Sequence, residues 1–370
     1  MPKTKAAPSG LTASIKRLNL KPDPLWEGPC SDGPQGGLTQ SLLSRWLCCR
    51  ERFRLKVVDG LRTPDEFNVR LEYGNLWHVC EEHAPVWETP LRAYADDLLR
   101  RYPTQQDQVR HWYRVCRVQY PLYEAYWAKH PDVTKRVPIA NELTFRAPYV
   151  LPSGRTVWMR GKFDGVDKVG KRTVLQENKT KGDIKEAEIH KQMGFDLQTL
   201  WYVIALMRTD LPGGHEIKGI PEVRYNVVRR PLAGGKGSIV RHKPTKSNPE
   251  GESEDEFYAR LKGIIEGAEG PDWGTEGHYF FMRWNVSISP ADLERFERRF
   301  LVPCLEDLCD WWERISTADD PFDPACRHYQ FPYGVWNPLT NGAATDFDEL
   351  LATGSRVGLE RADTLFRELE

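Results

Sequence analysis

Hydrophobic residues recur every three or four positions along the first part of the chain, which is the spacing of the buried face of an α-helix. The pattern begins after an arm, residues 1–37, that is rich in Pro, Gly, Ser and Lys and that we interpret as a solvated tail. It predicts a helix from Thr39, a helical stretch over about 65–102 with interruptions at two prolines, and a helix over about 105–129. We therefore expect a helical region over residues 38–135.

From Arg136 the period shortens to two, which is the spacing of a half-buried β-strand. Three strand segments follow, VPIANELTFRAPYV, TVWMRGKFDGVDKV and RTVLQENK, separated by the turn sequences PSGR and VGKR. A helix over about 184–208, a strand over about 222–230 and a helix over about 253–266 come next, and HYFFMRWNVSI predicts another strand. This order of elements predicts an α/β or α+β core over residues 136–317.

The end of this core and the C-terminal segment have helical patterns. Ser289 and Pro290 suit the cap and the first position of a helix that reaches about Ile315. The next segment, residues 318–370, is rich in turn-forming residues and ends in an amphipathic pattern over about 359–369, where we expect a short helix. We expect this segment to pack back on the core.

Composition narrows the class of protein without identifying it. Of the 370 residues, 40% are hydrophobic and 28% are charged, which is ordinary for a soluble globular chain and excludes a wholly disordered one. No apolar run approaches the roughly 20 residues of a membrane helix, and the first residues lack the apolar core of an export signal. Eight cysteines dispersed over this length do not indicate a disulfide framework. We therefore expect a cytoplasmic protein that binds no membrane.

The formal net charge of −1 at pH 7 at first argues against a nucleic-acid partner, because such proteins are often basic. The charge is unevenly distributed, since residues 224–246 carry seven Lys or Arg and no acid, and an acidic run follows. The basic segment is either a solvated loop or a strip that binds phosphates. The candidate nucleic-acid-binding residues in it are Arg229, Arg230, Lys236, Arg241 and Lys243.

Polar residues interrupt the apolar strands at one informative place. Asp164 lies at the end of one strand, and Glu177 and Lys179 lie two apart on the next strand, so that their side chains share a face. A hairpin between the two strands can bring the three side chains together. One alternative is a surface cluster in which the lysine neutralises the carboxylates. The other is a functional site, since consecutive polar residues in an apolar strand cost stability unless they are used.

A site of this composition has a definite chemistry. The two carboxylates, with the backbone carbonyl of Asn178, are hard oxygen ligands of the kind that Mg²⁺ and Mn²⁺ prefer. A divalent ion held there can polarise a phosphodiester and help deprotonate water. A lysine adds positive charge where the transition state accumulates negative charge.

The same residues, in their order along the chain, resemble the PD-(D/E)XK nuclease superfamily, specifically its RecB-type exonuclease branch. The resemblance rests on GKFD, on Glu177–Lys179, and on Gln198 and Tyr202 four residues apart in the region after the strands. It extends to the opening stretch LTQSLLSRWLCCRERFRL, to the G-x-x-x-H pattern that ends at His78 and to Glu142 in NELTF. The implied fold is a restriction-endonuclease-like core with a mixed central sheet flanked by helices.

The resemblance also implies a role for each matching residue. Lys179 is implied to orient or activate the attacking water, and Gln198 and Tyr202 are implied to border the active site and help hold the DNA and the lysine. On the residues alone, Tyr202 suits core packing equally well, and His78 suits a histidine satisfied by neighbouring glutamates. The implied metal ligands are His78, Asp164, Glu177 and the backbone carbonyl of Asn178.

The implied activity is hydrolysis of DNA phosphodiesters with Mg²⁺ or Mn²⁺, by an exonuclease or end-processing enzyme of recombination, repair or phage and mobile-element DNA metabolism. Because the sequence has no helicase motif, a helicase or recombination protein is an expected partner. Two alternatives stay open: a catalytically silent nucleic-acid-binding or scaffold module on the same fold, and a metal hydrolase with another substrate.

Several members of that branch hold an iron–sulfur cluster on four cysteines, one near the N-terminus and three in a tight C-terminal group. The matching positions here are Cys48 or Cys49 and, in the tail, Cys326 alone. Since a cluster needs four thiolate ligands, we do not expect one in this chain.

Overall fold

The computed structural model describes residues 24–64, 66–129, 136–182, 193–231, 239–267, 280–317 and 357–369. The chain divides into two compact units. The smaller unit consists of Met1–Pro64, Arg146–Gly161 and Glu294–Glu370, and the larger unit consists of Asp65–Phe145 and Lys162–Leu293.

The described helices and strands confirm most of the predicted elements. The α-helices are α1 (Gln40–Cys48), α2 (Arg50–Phe53), α3 (Val69–Glu82), α4 (Glu88–Arg101), α5 (Gln106–Ala128), α6 (Leu197–Leu206), α7 (Glu254–Gly267), α8 (Pro290–Phe296) and α9 (Val302–Thr317). The strands are β1 (Leu38–Thr39), β2 (Leu61–Arg62), β3 (Arg136–Val150), β4 (Thr156–Val169), β5 (Arg172–Lys181), β6 (Glu222–Arg229), β7 (Phe281–Val286) and β8 (Glu360–Arg361).

The larger unit is built on a mixed sheet. Strand β4 pairs with β3 and, antiparallel, with β5; β5 pairs with β6 in parallel, and β6 pairs with β7 antiparallel. The parallel register sets Glu177 against Tyr225 and Lys179 against Val227. Both faces of β5 are covered, since Thr173 to Asn178 are all buried. The prediction of a mixed α/β fold with a central sheet flanked by helices is confirmed.

Helices α3, α4, α5 and α7 supply most of the hydrophobic core of this unit, together with side chains from β6 and β7. The helix α5 has the predicted apolar stripe, because residues three and four apart on a helix share a face. The side chains of the stripe are all buried: Trp112, Val115, Cys116, Gln119, Tyr123 and Trp127.

The sequence predicts one long helix over 184–208, and this prediction is wrong about its continuity. Helix α6 begins only at Leu197, because the Asp196 side chain accepts the backbone N–H of Thr199 and so caps a new helix there. Met193 is helical and residues 194–196 are not, so the predicted helix is interrupted there; residues 183–192 lie outside the described part of the chain.

In the smaller unit, the expectation of a solvated arm is wrong for its described residues, because Trp26 is fully buried and its Nε1–H donates to the carbonyl of Gly37 over 2.8 Å. Thr39 caps α1, and β1 pairs in parallel with β4 at Met159. The helix predicted over 359–369 is wrong. Residues Glu360–Arg361 instead form β8, which pairs antiparallel with β2, and the neighbouring Ala362 N–H donates to the carbonyl of Gly60 over 2.7 Å. Backbone pairing with β2 therefore overrides the amphipathic pattern. The tail over 318–356 lies outside the described residues.

Within the described part of the chain, every helix is too short or too polar to cross a bilayer.

Candidate functional site

Three ligand-type side chains from three elements of the larger unit converge. His78 comes from α3, Glu142 from β3 and Asp164 from β4, and one donor atom of each lies within 4.8 Å of the other two. His78 Nδ1 is 3.5 Å from Glu142 Oε1 and 3.7 Å from Asp164 Oδ1. An imidazole and two carboxylates at these distances can share one cation.

Glu142 has a backbone φ of 48°, in the left-handed region that residues with a side chain rarely adopt. It lies inside a β-strand, so the conformation interrupts extended backbone at the point where the carboxylate joins His78 and Asp164. Such a residue costs on the order of 1–3 kcal/mol and persists only when its surroundings enforce it. Lys162 Nζ lies 2.7 Å from the second carboxylate oxygen and holds Glu142 in place.

A second group adjoins these ligands on β5. Lys179 Nζ donates to Glu177 Oε1 and to Gln198 Oε1, the latter over 2.8 Å. Gln198 Nε2 in turn donates to Glu177 Oε1 over 2.8 Å. Glu177 is 1% exposed, yet its other oxygen, Oε2, is without a hydrogen-bond partner among the described residues. A buried carboxylate oxygen without a donor is costly unless a ligand meets it.

The backbone of Asn178 joins the two groups. Its N–H donates to Asp164 Oδ2 over 2.6 Å, which fixes Asp164 against the strand that carries Glu177 and Lys179. The role expected for the Asn178 carbonyl, as a metal ligand, stays a prediction.

The titratable groups of the site lie close together and shift one another's pKa values. Burial raises the pKa of Asp164, and it raises the pKa of Glu177 to about 7, the direction expected of carboxylates that are shielded from water and close together. Burial alone would lower the pKa of His78, but the carboxylates of Asp164 and Glu142 raise it to about 9. The neighbouring carboxylates of Asp164 and Glu142 thus favour a positive charge at the position of His78.

The composition of the group fits a divalent ion. Carboxylate oxygens suit Mg²⁺ and Mn²⁺, and imidazole is a common ligand of first-row transition ions. The unpartnered Oε2 of Glu177 and the strained Glu142 are both features that a bound cation would account for.

The opposite face of β5 carries a second set of polar residues, which we call the polar ladder. Asn226 on β6 donates to Gln176 and Asn178 over 3.2 and 2.9 Å. Gln176 donates to Asp167 over 2.6 Å, and Arg283 on β7 donates to Asn226 over 2.6 Å. The ladder ends at Arg136 on β3, whose Nε is 2.7 Å from Asp167. It crosses the five described strands of this unit on the face of β5 opposite the site.

Gln198 and Tyr202, which the sequence places together, have different surroundings. Gln198 is bonded to both Lys179 and Glu177. The Tyr202 ring packs edge-on against Phe145 and Phe163, with centroids 5.7 and 5.6 Å away. The structure therefore brings Gln198 to the candidate site and sets Tyr202 against an aromatic pair on β3 and β4.

The basic segment is divided in the same way. Arg229 is buried and its guanidinium lies over Phe280, whereas Arg230 is half-buried over Trp112. Arg241 donates to the carbonyl of Glu252. Lys243 is exposed, and Lys236 lies outside the described residues. Of the cysteines considered for a cluster, Cys48 is exposed, Cys49 is buried and Cys326 lies outside the described residues.

Sequence reasoning did not assign Lys162 to the site. The signal was present, because Lys162 and Asp164 are two apart on β4 and two residues on a strand share a face. The contact between Lys162 and Glu142 is not predictable from the sequence, since it depends on the left-handed backbone conformation of Glu142 within β3.

Comparison with known proteins adds one finding. A family model described as the PD-(D/E)XK nuclease superfamily matches residues 37–278, which is more than half of the chain and includes every residue of the site from His78 to Tyr202. No curated protein matches the chain.

Proposed function

The chain belongs to the PD-(D/E)XK nuclease superfamily, and from this premise we propose that it is a divalent-metal-dependent deoxyribonuclease of the RecB-type branch. We propose further that it is an exonuclease or DNA-end-processing enzyme of recombination, repair or phage and mobile-element DNA metabolism. The observation that carries the proposal is the convergence of His78, Glu142 and Asp164 beside the bonded pair Glu177 and Lys179.

The residues that would hold Mg²⁺ or Mn²⁺ are His78, Asp164 and Glu177, as the resemblance implies, with Glu142 added by the geometry. Glu177 would use Oε2, the oxygen that is without a partner among the described residues. The Asn178 carbonyl is the proposed backbone ligand. The ion, when bound, supplies charge that polarises the scissile phosphate and favours ionisation of water.

Lys179 is suited to hold the attacking water. An ammonium group has three donors, and two of them are directed at Glu177 and Gln198. No described residue accepts from the third, which can therefore hold a water molecule or a phosphate oxygen. Glu177 and Gln198 fix the direction of this donor, which is the kind of preorganisation that stabilises charge developing in the transition state.

Gln198 acts through Lys179 and Glu177 and is therefore a positioning residue in this proposal. Tyr202 lies one helical turn further along α6. Its packing against Phe145 and Phe163 supports the part of α6 that presents Gln198.

The test uses purified protein and end-labelled single- and double-stranded DNA with Mg²⁺, with Mn²⁺ and with chelator. We expect metal-dependent shortening of the DNA and products with a 5′-phosphate. Lys179→Ala and Asp164→Ala should lose the activity, while Lys168→Ala, at an exposed position of β4, should keep it. Wild-type activity in both site variants would refute the assignment, and DNA binding without cleavage would favour a catalytically silent module.

A further inference from the structure

Two arginines near the site form no ion pair with any described residue. Many arginines of the larger unit are paired with carboxylates, as Arg136 is with Asp167 and Arg260 is with Glu252. No described carboxylate pairs with Arg70 or Arg230. The two guanidinium groups are close enough to affect one another, since burial and the charge of Arg70 together lower the pKa of Arg230.

The Arg230 side chain is positioned by an aromatic contact, and its guanidinium donates no hydrogen bond to a described residue. Its guanidinium lies over the ring of Trp112, 5.7 Å from the centroid, and Trp112 is itself buried against Tyr73. A guanidinium that contacts an aromatic face in this way does not use its N–H groups in the contact, so they are available for a planar or tetrahedral anion. Among the described residues, no acceptor takes these N–H groups.

Strand β5 connects Arg230 to the catalytic group. The Arg230 N–H donates to the carbonyl of Lys181 over 2.7 Å, and Lys181 is two residues beyond Lys179. Two residues of strand span about 7 Å. The backbone of Arg230 is therefore anchored about 7 Å along β5 from Lys179. Lys179 is the residue that faces the scissile phosphate in the proposed function.

Helix α3 connects Arg70 to the metal ligands. Arg70, Gly74 and His78 follow one another at intervals of four and therefore lie along one face of the helix. Gly74 brings this face against the end of β5, because a Cβ built on it would be 3.4 Å from Thr180 Oγ1. Arg70 is about 12 Å along the helix from His78.

We propose that Arg70 and Arg230 form a binding site for a phosphate group of the DNA strand, close to the phosphate that is cut. This inference rests on the proposed function and adds to it a second contact with the same strand. Two like charges that no described carboxylate neutralises repel each other, and an anion bound between them offsets the repulsion. The phosphate is either an internal phosphodiester or the phosphomonoester at a strand end.

The test measures DNA binding in a Lys179→Ala background with Mg²⁺, so that the DNA stays intact, by fluorescence anisotropy over a range of salt concentrations. Arg70→Gln and Arg230→Gln should each weaken binding about tenfold and reduce the slope of log K against log salt by about 0.7 to 0.9. Arg100→Gln, at an exposed position on α4, is the matched loss of charge and should change neither. Arg230→Lys keeps the positive charge and should therefore keep the salt slope. It serves as the test of charge at this position if Arg230→Gln fails to fold.

Modified DNA identifies the source of the phosphate. With one uncharged methylphosphonate linkage at the contacted position, Arg230→Gln should cause no further loss of binding, whereas at other positions the loss should persist. DNA with a 5′-phosphate is also compared with DNA that ends in a 5′-hydroxyl. If Arg230→Gln weakens binding only of the DNA with the 5′-phosphate, the site holds the terminal phosphate. Unchanged salt slopes in both arginine variants, with DNA binding intact, would overturn the inference. Absence of DNA binding and cleavage by the wild type would instead refute the proposed function.

Discussion

The two faces of strand β5 carry buried polar residues for different reasons. On one face, Gln176 and Asn178 accept from Asn226, and the polar ladder continues on both sides to an arginine. On the other face, Glu177 and Lys179 bond to each other, yet Glu177 Oε2 is without a donor among the described residues.

The contrast between the faces separates polar groups that stabilise the fold from polar groups that take part in chemistry. Burial does not separate them, since Gln176 and Glu177 are 4% and 1% exposed. Completeness of hydrogen bonding does, because buried polar groups that serve the fold are normally satisfied. The ladder joins neutral amides between charged ends, whereas the site face collects carboxylates that burial makes costly.

The contrast between the two faces predicts the largest effect for Asp164→Asn. Loss of one carboxylate should reduce cleavage by more than about 100-fold, which corresponds to about 3 kcal/mol of lost transition-state stabilisation. Stability should be unchanged or higher, because a buried charge is removed and the amide oxygen can still accept from Asn178. Single-turnover cleavage and thermal unfolding measure the two effects. Asp210→Asn, at an exposed position, is the control, and a variant that loses stability along with activity would contradict the distinction.

A second variant, Glu142→Gly, should separate strain from function. Glycine adopts a φ of 48° without penalty, so the variant should be more stable by up to about 1 kcal/mol, while the metal concentration needed for half-maximal activity rises about 10- to 100-fold. Thr144→Gly, on the same strand at ordinary φ, should instead lose about 0.5–1 kcal/mol. Denaturant unfolding and a metal titration are the measurements. Equal destabilisation of the two variants would refute the strain at Glu142.

On the ladder face, Asn226→Ala should have the opposite signature. It leaves Gln176, Asn178 and Arg283 without a shared partner, and should cost about 1–3 kcal/mol of unfolding free energy. Cleavage per folded molecule should stay within a few-fold of the wild type. Asn141→Ala, at an exposed position of β3, should change neither quantity. Loss of cleavage at full stability would mean that the ladder takes part in the chemistry.

The smallest expected effect is that of Gly74→Ala. A Cβ at 3.4 Å from Thr180 Oγ1 is in ordinary contact, so the methyl group fits between α3 and β5. The gain in helix propensity should raise stability by up to about 1 kcal/mol without altering cleavage. Gly263→Ala on α7, where a Cβ meets no atom within 4 Å, gives the value for propensity alone. A large loss of stability in Gly74→Ala only would show that α3 lies closer to β5 than described.

The sequence predicts what depends on short-range order. Alternation places Glu177 and Lys179 on one face, the stripe on α5 is buried, and the family motifs select His78 and Asp164 for the site, where the structure brings them together. The boundary of α6 was wrong because one side-chain cap, Asp196, outweighs a long apolar pattern.

Other features depend on contacts between distant parts of the chain. Strand β8 forms because β2 offers a free edge about 300 residues earlier, which local amphipathicity does not register. The proximity of Arg70 to Arg230 and that of Lys162 to Glu142 follow from the placement of α3 and the turn in β3. No spacing along the sequence encodes either pair.

The polar ladder also bears on how faithfully the chain assembles. Because both faces of β5 are buried, an apolar pattern alone does not select between alignments with β6 that differ by one residue. A slip of one position would place Glu177 and Lys179 on the face that Gln176 and Asn178 now occupy. It would set one of these two charged residues opposite Asn226. Such a molecule would be compact and inactive. The amides behind the site should therefore favour the native alignment of β5 with β6, and we expect their loss to lower the yield of active molecules per folded chain.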